Sequence, residues 1–139
     1  MRILIMGLPG AGKTHLAKRL QIHLNCAWYN ADKVREMAND WDFSDAGRRR
    51  QSERMNCLAS FEGARARTVI CAFVCPTGET REQFTADITI WMDTIEAGRF
   101  DNTNSIFEAP TDVDYHMEGF MSDEEIVVFA TQLKREHGL

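Results

Sequence analysis

Ile3-Leu4-Ile5-Met6-Gly7-Leu8-Pro9-Gly10-Ala11-Gly12-Lys13-Thr14 joins an apolar run to a glycine-rich loop, and an amphipathic stretch continues from Lys13 to Leu24. The first four residues show no polar alternation, as expected of a strand covered on both faces. Leu16, Leu20 and Leu24 recur at i, i+4, i+8, which places them on one face of a helix. Between strand and helix, residues 7–14 match the pattern GxxxxGK[ST]. Glycines let backbone N–H groups turn inward around phosphate oxygens, with a helix N-terminus behind them. Lys13 then bridges the β- and γ-phosphates, and the Thr14 hydroxyl takes a magnesium position. The stretch predicts a site for a nucleoside triphosphate, ATP with Mg2+.

The chain has 139 residues, which predicts a single domain over 1–139. Apolar residues are 44% and charged residues 27%, enough for one core and inconsistent with disorder. A net charge of −5 argues against binding nucleic acid by neutralising many phosphates, although Arg48, Arg49 and Arg50 form a local basic cluster. Cys26, Cys57, Cys71 and Cys75 form no CxxC pair and have no histidine at zinc-ligand spacing. A reducing, cytoplasmic setting is therefore expected. The run from Arg2 to Met6 is too short for a signal core, and no apolar stretch reaches membrane-span length.

Further strands are expected at Ala27-Trp28-Tyr29, Thr68 to Cys75, Ile88 to Met92 and around Val113 to His116. Ser44 can N-cap a long helix carrying Met55, Leu58, Ala59 and Glu62 at helical spacing, and a short helix is expected over Glu79 to Phe84. Ser122-x-x-Glu125 is a capping box before Ile126, Phe129, Ala130 and Leu133. Residues from Gly98 to Pro110 read as irregular. Apolar strands alternating with amphipathic helices predict an α/β P-loop fold, with a mostly parallel five-stranded sheet and helices on both faces.

A phosphate loop alone does not choose between kinase, motor, switch and hydrolase. The chain is short for a motor ATPase, lacks a guanine-specifying Asn-Lys-x-Asp, and shows no Walker B Asp-Glu at a strand end. That favours a kinase. After the second strand come Asn30-Ala31-Asp32-Lys33-Val34-Arg35 and then Asp42-Phe43-Ser44 and Arg48. A carboxylate here can orient an acceptor hydroxyl, and Asp32 is the candidate. The plainer alternative is that Asp32 only N-caps the helix that follows, and the two roles are compatible. Arg48 to Arg50 can be a solvated stretch early in a helix, and because consecutive residues point about 100° apart, at most one or two of them can serve one ligand. Arg48 and Gln51 share a face at i, i+3.

These residues resemble the adenylylsulfate kinase family, whose motifs read Asp-Gly-Asp-Asn-Val-Arg and Gly-Phe-Ser-x-x-x-Arg with an Asn three residues further on. The resemblance implies ATP-dependent phosphorylation of the 3′-hydroxyl of adenosine 5′-phosphosulfate (APS), a step of sulfate assimilation. It implies that Lys13 and Asp32 are catalytic, that Arg35 and Arg48 grip the phosphosulfate and that Phe43 stacks on the acceptor's adenine. Gln51 stands where the family has Asn, Asn30 replaces the motif's first Asp, and Cys75 and Thr77 replace the Ser and Tyr of its Ser-Pro-Tyr. Phe107-Glu108-Ala109-Pro110 is similar to the family's Tyr-Glu-Ala-Pro, near the ATP base. The basic lid that follows Asp93-Thr94 is largely missing, leaving Arg99 alone between Asp93 and Phe107. The expected partners are ATP and a small nucleotide acceptor, with a homodimer allowed. The rivals are a polynucleotide or small-metabolite kinase and a nucleotide-binding module without turnover.

Overall fold

The computed structural model describes residues 1–98 and 101–139. Its elements are β1 (Arg2–Met6), α1 (Lys13–Leu24), β2 (Ala27–Asn30), α2 (Ala31–Ala38), α3 (Asp45–Gly63), β3 (Val69–Ala72), α4 (Gly78–Phe84), β4 (Ile88–Met92), α5 (Asp101–Ile106), β5 (Tyr115–Met117) and α6 (Asp123–His137). The strands form one all-parallel sheet in the order β2-β3-β1-β4-β5. β1 lies at its centre and delivers the phosphate loop to the middle of the carboxyl edge, where an open parallel sheet reverses its winding and binds ligands.

Alternating side chains of β1 feed two cores. Ile3 and Ile5 pack with Leu16 and Leu20 of α1 and Ile126, Phe129 and Leu133 of α6. Leu4 and Met6 face Val34, Met55, Ala59 and Phe84 from α2, α3 and α4. Helices therefore cover both faces. Each fully buried Leu or Ile contributes about 1.5–3 kcal/mol. Ser44 caps α3 by accepting from the Gly47 N–H, and Ser122 and Glu125 form the capping box of α6. All four cysteines are free, and burial pushes the Cys26 thiol up to about 11 and those of Cys71 and Cys75 to about 12.

Three expectations need correction. β3 ends at Ala72 rather than Cys75: Phe73 still donates to the Ile5 carbonyl, but Cys75 takes φ 47°, a left-handed turn that ends the extended run. Residues 98–110 are not wholly irregular, since α5 forms within them and Asn104 closes on Gly98 through two hydrogen bonds. β5 lies slightly later than expected, at Tyr115–Met117. Arg99 lies outside the described residues.

Candidate active site

The loop after β1 owes its path to backbone packing. A Cβ on Gly7 would lie 2.5 Å from the Met92 carbonyl oxygen of β4, so only glycine lets the chain leave the sheet there. Gly12, at φ 93°, is the N-cap of α1 and offers the helix no side-chain cap; no acidic residue occupies the first turn. The partial positive charge of the helix end is thus left for a bound anion. Lys13 Nζ donates to the carbonyls of Gly7 and Leu8, at 2.8 Å each, across the loop's mouth. The segment after β4 backs the loop, with Thr94 Oγ1 donating to the Ala11 carbonyl at 2.8 Å.

A cavity of about 690 Å³ opens in front of the loop. Pro9, Gly10, Gly12, Lys13 and Thr14 line one side of it, while Gly7, Leu8 and Ala11 form the scaffold behind. Asp32, Arg35, Phe43, Arg48 and Gln51 line the same cavity, so chain segments far apart in sequence meet there. The helix cap considered as the alternative role of Asp32 belongs to Asn30. Asn30 Oδ1 accepts from the N–H groups of Asp32 (2.9 Å) and Lys33 (3.4 Å), and its Nδ2 lies 3.5 Å from Thr14 Oγ1. Asp32 occupies the first turn of α2 with its side chain exposed to the cavity.

Arg35 is only 5% exposed and donates to the carbonyls of Asp40 (2.8 Å) and Asp42 (3.2 Å). Its guanidinium carbon stands 4.3 Å from the centre of the Phe43 ring, and that of Arg48 stands 5.9 Å away. Arg48 Nε also donates to the Phe43 carbonyl at 2.8 Å. Burial pulls the pKa of both arginines downward, and among the described residues neither forms an ion pair with a carboxylate. Two guanidinium groups beside a half-exposed ring present charge and an aromatic face to the same part of the cavity. Gln51, 4% exposed, donates to the Ala31 carbonyl and accepts from Arg54, both at 3.0 Å, so its amide is a strut between α2 and α3.

The arginine run separates on α3. Arg48 reaches the cavity, Arg49 pairs with Glu79 of α4 at 3.3 Å, and Arg50 pairs with Asp40 at 2.6 Å. Phe107 and Glu108 do not line the cavity. Glu108 accepts from the Gly78 N–H, and Arg81 ties the Glu108 carbonyl to those of Cys75 and Pro76, bracing the wall from behind. Sequence reasoning missed Trp41, Phe73 and Val74 as lining residues. Phe73 and Val74 were hidden inside an apolar run that reads as strand, and an isolated Trp gives no pattern. His116 stacks on Trp91 and pairs with Asp93 at 2.8 Å, away from the cavity lining.

Among the described residues no helix is long and apolar enough to cross a membrane, and no three His, Cys, Asp or Glu side chains cluster for a metal. Magnesium bound to a nucleotide commonly takes only one or two protein ligands beside phosphate oxygens and water. Thr14 at the loop's end fits that requirement.

A family model described as adenylylsulphate kinase matches residues 1–98. No curated protein sequence matches the chain. Among solved structures, an APS kinase from Mycobacterium tuberculosis in complex with AMPPNP and APS superposes with a TM-score of 0.75 at 18% identity, covering 96% of this chain and 95% of that one. A hexameric APS kinase from Thiobacillus denitrificans gives 0.74 at 23% identity, over 99% of this chain and 29% of the other. Shikimate kinase from Aquifex aeolicus gives 0.68 at 18% identity, over 99% and 98%. At such identities the neighbours establish the fold. The sheet order and the phosphate loop are those of the P-loop kinase fold. The chain belongs to the adenylylsulphate kinase family.

Proposed function

We propose that this chain transfers the γ-phosphoryl group of ATP to the 3′-hydroxyl of adenosine 5′-phosphosulfate. The observation that carries the reading is the pair of guanidinium groups, Arg35 and Arg48, that flank Phe43 with no carboxylate ion pair among the described residues, in the cavity that also holds Lys13 and Asp32. An acceptor that is both anionic and aromatic suits that half of the cavity. In this scheme the arginines bind the phosphosulfate, and Phe43 offers the rest of its exposed surface to the adenine. Asp32 orients the 3′-hydroxyl and accepts its proton as the oxygen attacks the γ-phosphorus and the bond to the ADP oxygen breaks. Lys13 and the loop N–H groups stabilise charge on the phosphates, where catalysis of this type resides. Thr14 would hold the magnesium ion of the nucleotide, which when bound would add charge neutralisation on the phosphate oxygens. Gln51 acts on the acceptor indirectly, by keeping α2 against α3.

The second reading, a small anionic metabolite as acceptor, is favoured by the shikimate kinase and gluconokinase folds among the neighbours. A coupled ADP-release assay over APS, shikimate, gluconate and 5′-hydroxyl oligonucleotides separates the possibilities. We expect turnover with APS, and Asp32→Asn should lower it while leaving ATP affinity intact. Efficient turnover of another acceptor with APS ignored overturns the assignment. Absence of turnover with every acceptor favours a nucleotide-binding module.

A further inference from the structure

The connection between α2 and α3, residues 39–44, carries Trp41 and Phe43 over the acceptor half of the cavity. Apolar burial does not hold it there, since the two side chains keep 52% and 50% of their surface exposed. It is held by polar contacts centred on the Asp40 carboxylate, with Asp42 accepting from the Ser44 N–H at 2.9 Å and from Arg50 at 3.3 Å beside it. α2 ends at Asn39 in the left-handed conformation, and the Asp40 N–H donates to the Arg35 carbonyl at 3.0 Å. Asp40 Oδ2 accepts from Arg50 Nε at 2.6 Å and from Arg54 at 2.5 Å, and Oδ1 accepts from Arg50 at 2.9 Å. Oδ1 also accepts from the Asp42 N–H at 3.2 Å, closing the turn under Trp41. The Asp40 carbonyl receives Arg35, and Arg54 continues through Gln51 to the first residue of α2, beside Asp32.

We propose that Asp40 is a positioning residue for the acceptor: clamped by Arg50 and Arg54, it fixes the 39–44 strap and thereby sets where Arg35 and Phe43 meet the ligand. An isolated exposed ion pair would do little, but a bidentate, networked one on an 11%-exposed side chain is the exception. The hydrogen bonds from Arg50 and Arg54 hold the Asp40 carboxyl well below the usual carboxylate range, so the clamp persists across the working pH range. Asp40 touches neither reacting atom. Its loss should therefore appear in acceptor affinity, not in the chemical step.

This inference rests on the acceptor assignment above, and its test separates the two. Asp40→Asn keeps the turn-closing oxygen and removes the charge. It should raise the KM for APS about tenfold, the scale of losing a charged hydrogen bond, while kcat and the KM for ATP stay unchanged. Arg50→Gln should raise it as well, and the double variant should fall short of additive, because the two substitutions share the Arg50–Asp40 pair even though each also loses a contact of its own, Arg54–Asp40 in one and Arg50–Asp42 in the other. Additive effects, equal rises in both KM values, or an unchanged KM for APS overturn the proposal. Amide hydrogen exchange over residues 40–44 in the ligand-free protein should quicken in Asp40→Asn. Should the wild type phosphorylate no acceptor, the functional reading falls while exchange still decides the clamp: unchanged exchange overturns it.

Discussion

Residues 7–14 and residues 39–44 are both short connections facing the same cavity, and different forces hold them. The phosphate loop is shaped by backbone: Gly7 lies against the Met92 carbonyl, and Gly10 and Gly12 take φ near 90°. The groups it offers are N–H donors and one lysine, which on the proposed function would take phosphate from any nucleotide. The strap is shaped by side chains, through Arg35, Asp40, Arg50 and Ser44. On the proposed function, generic phosphate binding would persist unchanged on this fold while the strap altered what receives the phosphoryl group.

The sharpest break comes on the loop side. Lys13→Ala should remove most of the thermal stabilisation that ATP gives, which for wild type at a hundredfold excess over Kd amounts to about 2.7 kcal/mol. Stabilisation by APS alone should survive. Persistence of the ATP effect in the variant would mean that Lys13 is not the main phosphate grip.

Arg48→Ala tests the other half. Truncating a contact with a charged partner should cost about 1.5–3 kcal/mol, a ten- to hundredfold rise in the KM for APS, with the KM for ATP unchanged. A rise in both would show that the two halves are not separable. Because Arg48 also holds the Phe43 carbonyl, Arg48→Lys should restore little: an ammonium can pair with an anion but cannot present the planar fork.

The same contrast governs what could be read from sequence. The loop, α1 and the caps at Ser44 and Ser122 were legible because each is encoded within a few residues. The acceptor side was legible only as a set of residue types. That Arg48, Arg49 and Arg50 serve three different elements depends on α4 and the strap, which lie elsewhere in the chain. Hydrophobicity carried β3 through to Cys75, yet Phe73, Val74 and Cys75 leave the sheet to line the cavity, a demand that an apolar run does not announce. Asn30 is the cap rather than Asp32 because it is the last extended residue before α2, whereas Asp32 already lies within the helix's first turn. Asp40 was overlooked since a single carboxylate carries no spacing signal.

Gly47 is the point where the strap rests on α3, and it supports the smallest and most discriminating test. A Cβ there would lie 2.1 Å from the Asp42 carbonyl oxygen and 2.5 Å from the Asp42 side-chain carbon. Two effects oppose each other in Gly47→Ala. Alanine favours an interior helical position over glycine by up to about 1 kcal/mol. Forcing an atom into a closed contact costs about 1–3 kcal/mol, and here the obstacle is backbone rather than the end of a flexible side chain. The collision should prevail, lowering stability by roughly 1 kcal/mol and displacing Asp42 together with the neighbouring Phe43. The variant should bind ATP with unchanged thermal stabilisation and show a raised KM for APS, smaller than that of Arg48→Ala. A rise in Tm instead would mean that the strap moves aside at little cost and that the propensity gain wins. The acceptor half would then be shaped by the ligand rather than before it.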